Sequence, residues 1–308
     1  MGDVAALLVG LVLLTVAADR FVLGAARLSS ALRVSPVVIG ALVIGAGTSA
    51  PELVVTVLAA VQDSAELAVG NLVGSNAANV GLVLGSAALI STVAVGHATL
   101  RREVPLMLLA VGAFGVAAFD GTLSRLEGGV LLALGVAAIA AVVAFARADQ
   151  RGAAVVPAAR SEPLWRPALL ALAGLVGTVA GAQLLVTGGS GLARALGVSE
   201  GVIGLTVVAV GTSLPELVTA VAAARRREAD LVVGNVLGSN IFNSLPVAGV
   251  AGLLGTVGLE PALGLAVVGM VAICALAAVF LATGRRLARP EGAVLLVLFA
   301  LVVGATLT

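Results

Sequence analysis

Charge is scarce in this chain. Only 11% of its 308 residues are charged, where soluble domains carry about 25%, and this excludes a soluble fold. Lysine is absent, all 17 basic residues being arginine, and histidine and cysteine occur once each, as His97 and Cys274. A single cysteine excludes a disulfide within the chain. With no lysine there is no Ser–Lys pair, and the one histidine falls in a predicted loop, so nothing could activate a serine nucleophile. The chain is read as a non-enzyme. The formal net charge of +1 gives no basic field for a nucleic-acid partner. Segments of alternating polarity are missing too, which excludes an outer-membrane barrel.

What is present is apolar: 60% of residues, with a mean hydropathy of +1.20. The stretches 104–118, 129–146, 166–192, 262–283 and 292–307 are almost free of charge. Runs of roughly 18 or more such residues read as transmembrane helices, so the partner this composition demands is the lipid bilayer. The 39 glycines sit inside these runs, where small residues let membrane helices approach closely. The pattern predicts an all-α membrane protein of ten spans, at 4–29, 36–62, 66–93, 104–118, 127–146, 166–192, 200–224, 230–255, 262–283 and 290–307. The N-terminus lacks a basic n-region and reads as a retained first span.

Half of the chain repeats the other half. Residues 31–54, ALRVSPVVIGALVIGAGTSAPELV, align without gaps with 195–218, ALGVSEGVIGLTVVAVGTSLPELV, at an offset of 164. At the same offset LAVGNLVGSNAAN, 67–79, matches LVVGNVLGSNIFN, 231–243. Over 29–60 and 193–224, 18 of 32 positions are identical, the polar ones among them, so apolar low complexity does not explain the match. The reading is a first five-helix repeat at 1–146 (motif 31–85), a cytoplasmic linker at 147–165, and a second repeat at 166–308 (motif 195–249). Five spans is an odd number, so the second half enters the membrane from the opposite side and the repeats are inverted. Arginine gathers in alternate loops: Arg27 and Arg33, Arg101 and Arg102, Arg147 to Arg166, Arg225 to Arg227, and Arg285 to Arg289. The opposite loops hold Arg125 and Arg194. The positive-inside bias puts the first set in the cytoplasm and both termini outside, in the cell (inner) membrane.

Two acidic residues fall mid-span, Glu52 and Glu216, at equivalent repeat positions. An ionised group at the bilayer centre costs roughly 2.5–3.5 kcal/mol on insertion scales, and such groups face an interior site. Thr48 and Ser49 share a helix face with Glu52, and Thr212 and Ser213 repeat this with Glu216. Asn71, Ser75 and Asn79 form a polar stripe four residues apart, as do Asn235, Ser239 and Asn243. Pro51 and Pro215 lack an N–H and free the carbonyls of Gly47 and Gly211; broken helices are tolerated in membranes where they line a cavity. Carboxylate, amide, hydroxyl and carbonyl oxygens form a hard shell suited to Ca²⁺ and to Na⁺, and no thiolate or imidazole is near.

The paired GTS-PEL and GN--GSN--N motifs resemble the α-repeats of the calcium/cation antiporter superfamily, specifically its prokaryotic sodium/calcium exchanger-like branch. The resemblance covers both repeats. It implies a midplane ion site made by spans 2, 3, 7 and 8, with Glu52 and Glu216 as shared Ca²⁺ ligands. It implies oxygens from Thr48, Ser49, Ser75, Thr212, Ser213 and Ser239 for Na⁺ or Ca²⁺, and Na⁺ positions completed by the carbonyls of Gly45 and Ala209. Asn79 occupies its expected place. Asn243 stands where some related exchangers have Asp, which leaves two titratable groups rather than three. The motif also lacks the histidine typical of the proton-coupled branch, which favours Na⁺ as the coupling ion. Exchange of Na⁺ for Ca²⁺ without a cofactor is the leading reading, and Ca²⁺/H⁺ or other cation exchange the alternative; a channel is the further option. Asp19, beside Arg20 and with Gln183 as its repeat counterpart, reads as an interfacial polar pair or as a gate contact.

Overall fold

A computed structural model describes residues 2–62, 65–119, 122–152, 163–197, 209–254, 257–258 and 261–306. The first half holds α1 (Gly2–Leu32), α2 (Pro36–Thr48), α3 (Ala50–Val61), α4 (65–90), the short α5 (His97–Arg101), α6 (Glu103–Ala117) and α7 (Arg125–Gly152). The second holds α8 (Trp165–Ala195), α9 (Ala209–Thr212), α10 (Leu214–Arg225), α11 (Ala229–Leu254), α12 (Pro261–Gly284) and α13 (Arg289–Thr306). Helix thus lies at each of the ten predicted segments. Among the described residues six helices are long and apolar enough to cross a membrane, or seven if the bent α2–α3 pair is one span. The beginning of the predicted span 200–224 lies outside the described residues.

Local chemistry explains the helix starts. Ser35 caps α2, its hydroxyl accepting the Val37 N–H at 3.3 Å, and Pro36 takes the first position, where no N–H is needed. Glu127 reaches back to the Ser124 N–H at 2.7 Å to open α7, and its repeat counterpart Glu291 does the same to the Ala288 N–H at 2.6 Å to open α13. The first is a reciprocal capping box, because the Ser124 hydroxyl also accepts the Glu127 N–H at 3.3 Å; Ala288 has no hydroxyl, so the second is the glutamate half alone.

Three boundaries differ from the sequence reading. The expected linker 147–165 is helical as far as Gly152, so the helix continues past the apolar run into the charged segment. There Asp149 accepts a hydrogen bond from Arg102 at 2.8 Å; the rest of the linker up to 162 lies outside the described residues. His97 opens the short helix α5 rather than sitting in open loop. The all-α expectation also omitted two antiparallel two-residue strand pairs. β1 (Val93–Ala94) pairs with β4 (Arg286–Leu287), and β2 (Thr122–Leu123) pairs with β3 (Val257–Gly258). At the offset of 164, β1 corresponds to β3 and β2 to β4, so each ladder joins one element from each half.

The polar helices lie at the centre. In α4 and α11, 72% and 78% of the apolar stretch is buried, against 33%, 28% and 28% in α1, α7 and α8. The long helices α1 and α8, repeat counterparts, run antiparallel along each other. Gly10 meets Gly181, Phe21 meets Gly174 and Gly24 meets Ala171, so contacts climb one helix as they descend the other. A Cβ at Gly181 would lie 2.8 Å from the Leu14 Cα, closer than a side chain allows. Between α2 and α11 the approach is similar: a Cβ at Gly40 would lie 2.8 Å from the Gly234 Cα. Without a hydrophobic drive between helices in lipid, such backbone contact is what holds them together.

Gly181→Ala should therefore destabilise the α1–α8 pair by about 1–3 kcal/mol, the usual range for overpacking. Gly112→Ala, where an added Cβ meets nothing within 4 Å, should be silent. Thermal unfolding in detergent checks this; equal melting temperatures for the two variants would refute the close approach.

Candidate cation-binding site

The span that carries Glu52 is broken. α2 ends at Thr48, α3 restarts at Ala50, and the two meet at 43°. Ser49 sits at the break with φ −80° and ψ 7°; its counterpart Ser213, between α9 and α10, has φ −87° and ψ 1°. Both lie in the sparsely populated bridge region of backbone space, where many functional residues are found. The break falls two residues before each proline, so Pro51 and Pro215 occupy the first turn of the new helix, where their missing N–H has no partner to lose. The result is that Glu52 and Glu216 each stand in the first turn of a 12-residue helix. The free N–H groups and dipole of a helix N-terminus favour a negative charge there.

The two halves complete each other's sites. The Ser49 hydroxyl donates to Glu216 Oε1 at 3.1 Å, and Ser213 is a hydrogen-bond partner of the Glu52 carboxylate. Glu52 and Glu216 are each 1% exposed. The backbone behind each glutamate is held by the first asparagine of the second motif. Asn71 Nδ2 donates to the Glu52 carbonyl at 3.4 Å, and Asn235 Nδ2 to the Glu216 carbonyl at 3.3 Å. Thr48 donates to the Ile44 carbonyl at 2.9 Å and lies 3.4 Å from Asn235 Oδ1. Ser239 donates to the Gly45 carbonyl at 3.1 Å.

The sequence grouping is therefore largely brought together. Thr48, Ser49, Ser75, Asn79, Thr212, Ser213, Ser239 and Asn243 are all buried, on the elements that carry the glutamates or on the stripes of α4 and α11. Ala209 lies in α9, and residues 198–208 before it lie outside the described residues. One expectation changes: Asn71 and Asn235 grip the glutamate backbone instead of facing the carboxylates. Asp19 joins none of these contacts. Its carboxylate accepts two hydrogen bonds from Arg226, Nε to Oδ1 and Nη2 to Oδ2, each 2.7 Å.

Sequence reasoning missed Asn76 and Asn240. Both are fully buried, and they clamp α4 to α11 across the repeat interface. Asn76 Nδ2 donates to Ser244 Oγ at 3.0 Å, and Asn240 Nδ2 to the Asn76 carbonyl at 3.4 Å. The signal was the middle asparagine of each GN--GSN--N motif, one residue off the polar stripe and hence on the next face of the helix. A second missed feature is backbone. π-helical turns begin at Asn79 and at Asn243, spanning Asn79–Leu84 and Asn243–Val247. Such turns inside α-helices are frequent at functional sites.

Buried polar atoms are nearly always hydrogen-bonded. Here Glu52 Oε2, Glu216 Oε2 and both amide atoms of Asn79 and Asn243 are buried with no protein partner. The glutamate Oε2 atoms and the asparagine Oδ1 atoms are thus unpaired oxygens at repeat-equivalent positions, whereas the Nδ2 groups are donors and cannot bind a cation. Among the described residues no group of three acidic, histidine or cysteine side chains could hold a metal; the charged side chains of this cluster are those of Glu52 and Glu216. Two carboxylates ringed by amide, hydroxyl and carbonyl oxygens fit a hard cation.

The sodium/calcium exchanger protein family matches residues 3–144 and again 167–308. The chain is 33% identical to sodium/calcium exchanger MaX1 of Methanosarcina acetivorans over 332 residues, covering 95% of each. It is 39% identical to inner membrane protein YrbG of Escherichia coli (strain K12) over 257 residues, 81% of this chain and 79% of that one. Among solved structures it resembles the sodium-calcium exchanger NCX_Mj, soaked with Na⁺ and Sr²⁺. The TM-score is 0.89 at 34% identity, covering 99% of this chain and 98% of that one.

Removing one cross-repeat hydrogen bond at the cluster should weaken cation affinity by roughly 1 kcal/mol, or about fivefold. Ser49→Ala and Ser239→Ala should each do so in calorimetric Ca²⁺ titrations of the detergent-purified chain. Asn76→Ala should lower the melting temperature and leave affinity unchanged. If Asn76→Ala affected affinity as strongly as the serine variants, the separation of clamp from site would be wrong.

Proposed function

The chain belongs to the sodium/calcium exchanger protein family, and on that premise we propose that it exchanges Na⁺ for Ca²⁺ across the membrane by alternating access, around a midplane site centred on Glu52 and Glu216. The observation that carries this reading is the pair of repeat-equivalent carboxylates, each in the first turn of a broken helix and each with a buried unpaired oxygen. Two adjacent carboxylates repel, and one divalent cation neutralises both, as do several monovalent ones. The two kinds of occupancy exclude one another, which is the physical basis of exchange. Thr48, Ser49, Ser75, Asn79, Thr212, Ser213, Ser239 and Asn243, with the carbonyls of Gly45 and Ala209, make up the proposed oxygen shell.

Architecture supports alternating access. We read the fold as ten crossings in two inverted five-helix repeats, 1–146 and 166–308, joined by a cytoplasmic linker. Antiparallel packing of the counterparts α1 and α8 is what inversion requires, since repeats of the same orientation keep counterparts parallel. The strand ladders agree: β1 pairs with β4 and β2 with β3, so a two-fold operation exchanges one ladder for the other. The arginine bias puts the termini outside and the linker in the cytoplasm, and the relative YrbG is named an inner membrane protein. Na⁺ is favoured over H⁺ as coupling ion because Asn243 cannot titrate and the motif has no histidine. Relatives named for sodium and calcium exchange support the same choice.

Proteoliposomes loaded with Na⁺ should take up ⁴⁵Ca²⁺ when diluted into Na⁺-free medium. Glu52→Gln and Glu216→Gln should each reduce uptake at least about 100-fold, the effect of losing a charged ligand worth roughly 3 kcal/mol or more. Uptake that survives either substitution sinks the site assignment. Uptake driven by a pH gradient with a large organic cation replacing Na⁺ would establish proton coupling instead.

A further inference from the structure

The paired helices α1 and α8 do not sit symmetrically on the rest of the molecule. α1 packs against α10, the helix that carries Glu216. Among the described residues α8 makes no comparable approach to α3, the counterpart of α10. On the closed seam Asp19 of α1 and Arg226, the residue that ends α10, form a bidentate ion pair with both bonds 2.7 Å long. Such fork-to-fork pairs are the strongest and most directional of ion pairs. At the offset of 164 the matching positions are Gln183 on α8 and Gln62 at the end of α3. Both glutamines are exposed, and neither can form an ion pair.

We infer that Asp19 and Arg226 form a latch that holds α1 against α10, closes the arginine-rich side of the site, and biases the resting protein toward the state open on the other side. The inference rests on the alternating-access reading. In an inverted repeat the opposite closed state is made by exchanging the roles of the halves, which brings Gln183 toward Gln62. The two closed states then differ by one charge-assisted pair. The Asp19 and Arg226 side chains are 47% and 34% exposed, so the pair belongs with partly solvated bridges, and its worth corresponds to about a two- to fivefold shift in population. Arg20, Arg225 and Arg227 also flank the seam, and Glu228 lies beside Arg226. The latch is therefore the acidic contribution of α1 to a basic rim. Neither residue touches the cation cluster; both act as positioning residues, through α1 and α10.

The test is hydrogen–deuterium exchange of the full chain in lipid nanodiscs, in choline buffer free of Na⁺ and Ca²⁺. Asp19→Asn and Arg226→Gln should each raise amide exchange over residues 214–227 about two- to fivefold, and the reversed pair Asp19→Arg/Arg226→Asp should restore it. Installing the mirrored pair, Gln183→Asp/Gln62→Arg, should also raise exchange there by favouring the opposite closure; it decides the matter if the reversed pair fails to fold. Unchanged exchange in the single variants, or no response to the mirrored pair, overturns the latch. In proteoliposomes Asp19→Asn should retain maximal Ca²⁺ uptake while the ratio of apparent Ca²⁺ affinities on the two faces moves by the same factor. If the unsubstituted chain shows no Na⁺-driven uptake, the exchange reading fails on its own, and the deuterium result still judges the latch.

Discussion

Two carboxylates buried where water is excluded set the terms for the rest of this structure. A single ionised group at a bilayer centre, where we propose the site lies, already costs roughly 2.5–3.5 kcal/mol on insertion scales, and Glu52 and Glu216 are near enough for their charges to interact across the repeat interface. Each feature around them supplies something water would have supplied. The helix breaks at Ser49 and Ser213 bring a fresh helix N-terminus to each carboxylate. The serine at one break donates to the glutamate of the other half. Asn71 and Asn235 hold the glutamate backbone so that the first turn keeps its aim. What these contacts leave over, one oxygen on each glutamate and the amide oxygens of Asn79 and Asn243, is suited to a positive ion.

The same constraint accounts for the glycines. Polar groups this crowded are shared between α2 and α11 only if the two backbones nearly touch, and Gly40 and Gly234 permit it. Outside the centre, glycines on α1 and α8 allow a second intimate contact, but these helices are far less enclosed. The molecule thus divides into a tightly bonded polar core and a paired outer unit seated on it. Relative movement of the two costs few buried polar contacts. The core carries repeat-related hydrogen bonds, whereas the outer unit rests on one side through an ion pair that the repeat does not reproduce. On the proposed exchange cycle, a two-fold plan with one asymmetric contact supplies a preferred facing direction.

Much of this was legible before any coordinates. Mean hydropathy and charge set the membrane class, because the bilayer admits few charges. The ungapped repeat located both glutamates and their serines, threonines and asparagines, because identical polar residues stand out in an apolar background. The prolines announced the broken helices, though the break itself falls at the serines. By contrast, Asn71 and Asn79 look alike in a stripe of four-residue spacing, and only packing makes one a backbone clamp and leaves the other with an unpaired amide. Asn76 and Asn240 went unread because a middle residue in a motif has no face until its neighbours are known. The strand ladders are two residues long, below any periodic signal.

By itself the sequence determined which residues come in equivalent pairs, that they lie in membrane-type helices, and that two of them are acids. These are properties of composition and local order along the chain. Only the tertiary structure decided which half completes which, that Ser49 serves Glu216 and Asn76 reaches Ser244, and that Asp19 meets Arg226 while Gln183 and Gln62 have no ion pair. The reason is that contacts between distant segments depend on how closely two backbones pass and at what angle. Those quantities are set by the packing of small residues across helices, and no pattern along one helix encodes its partner.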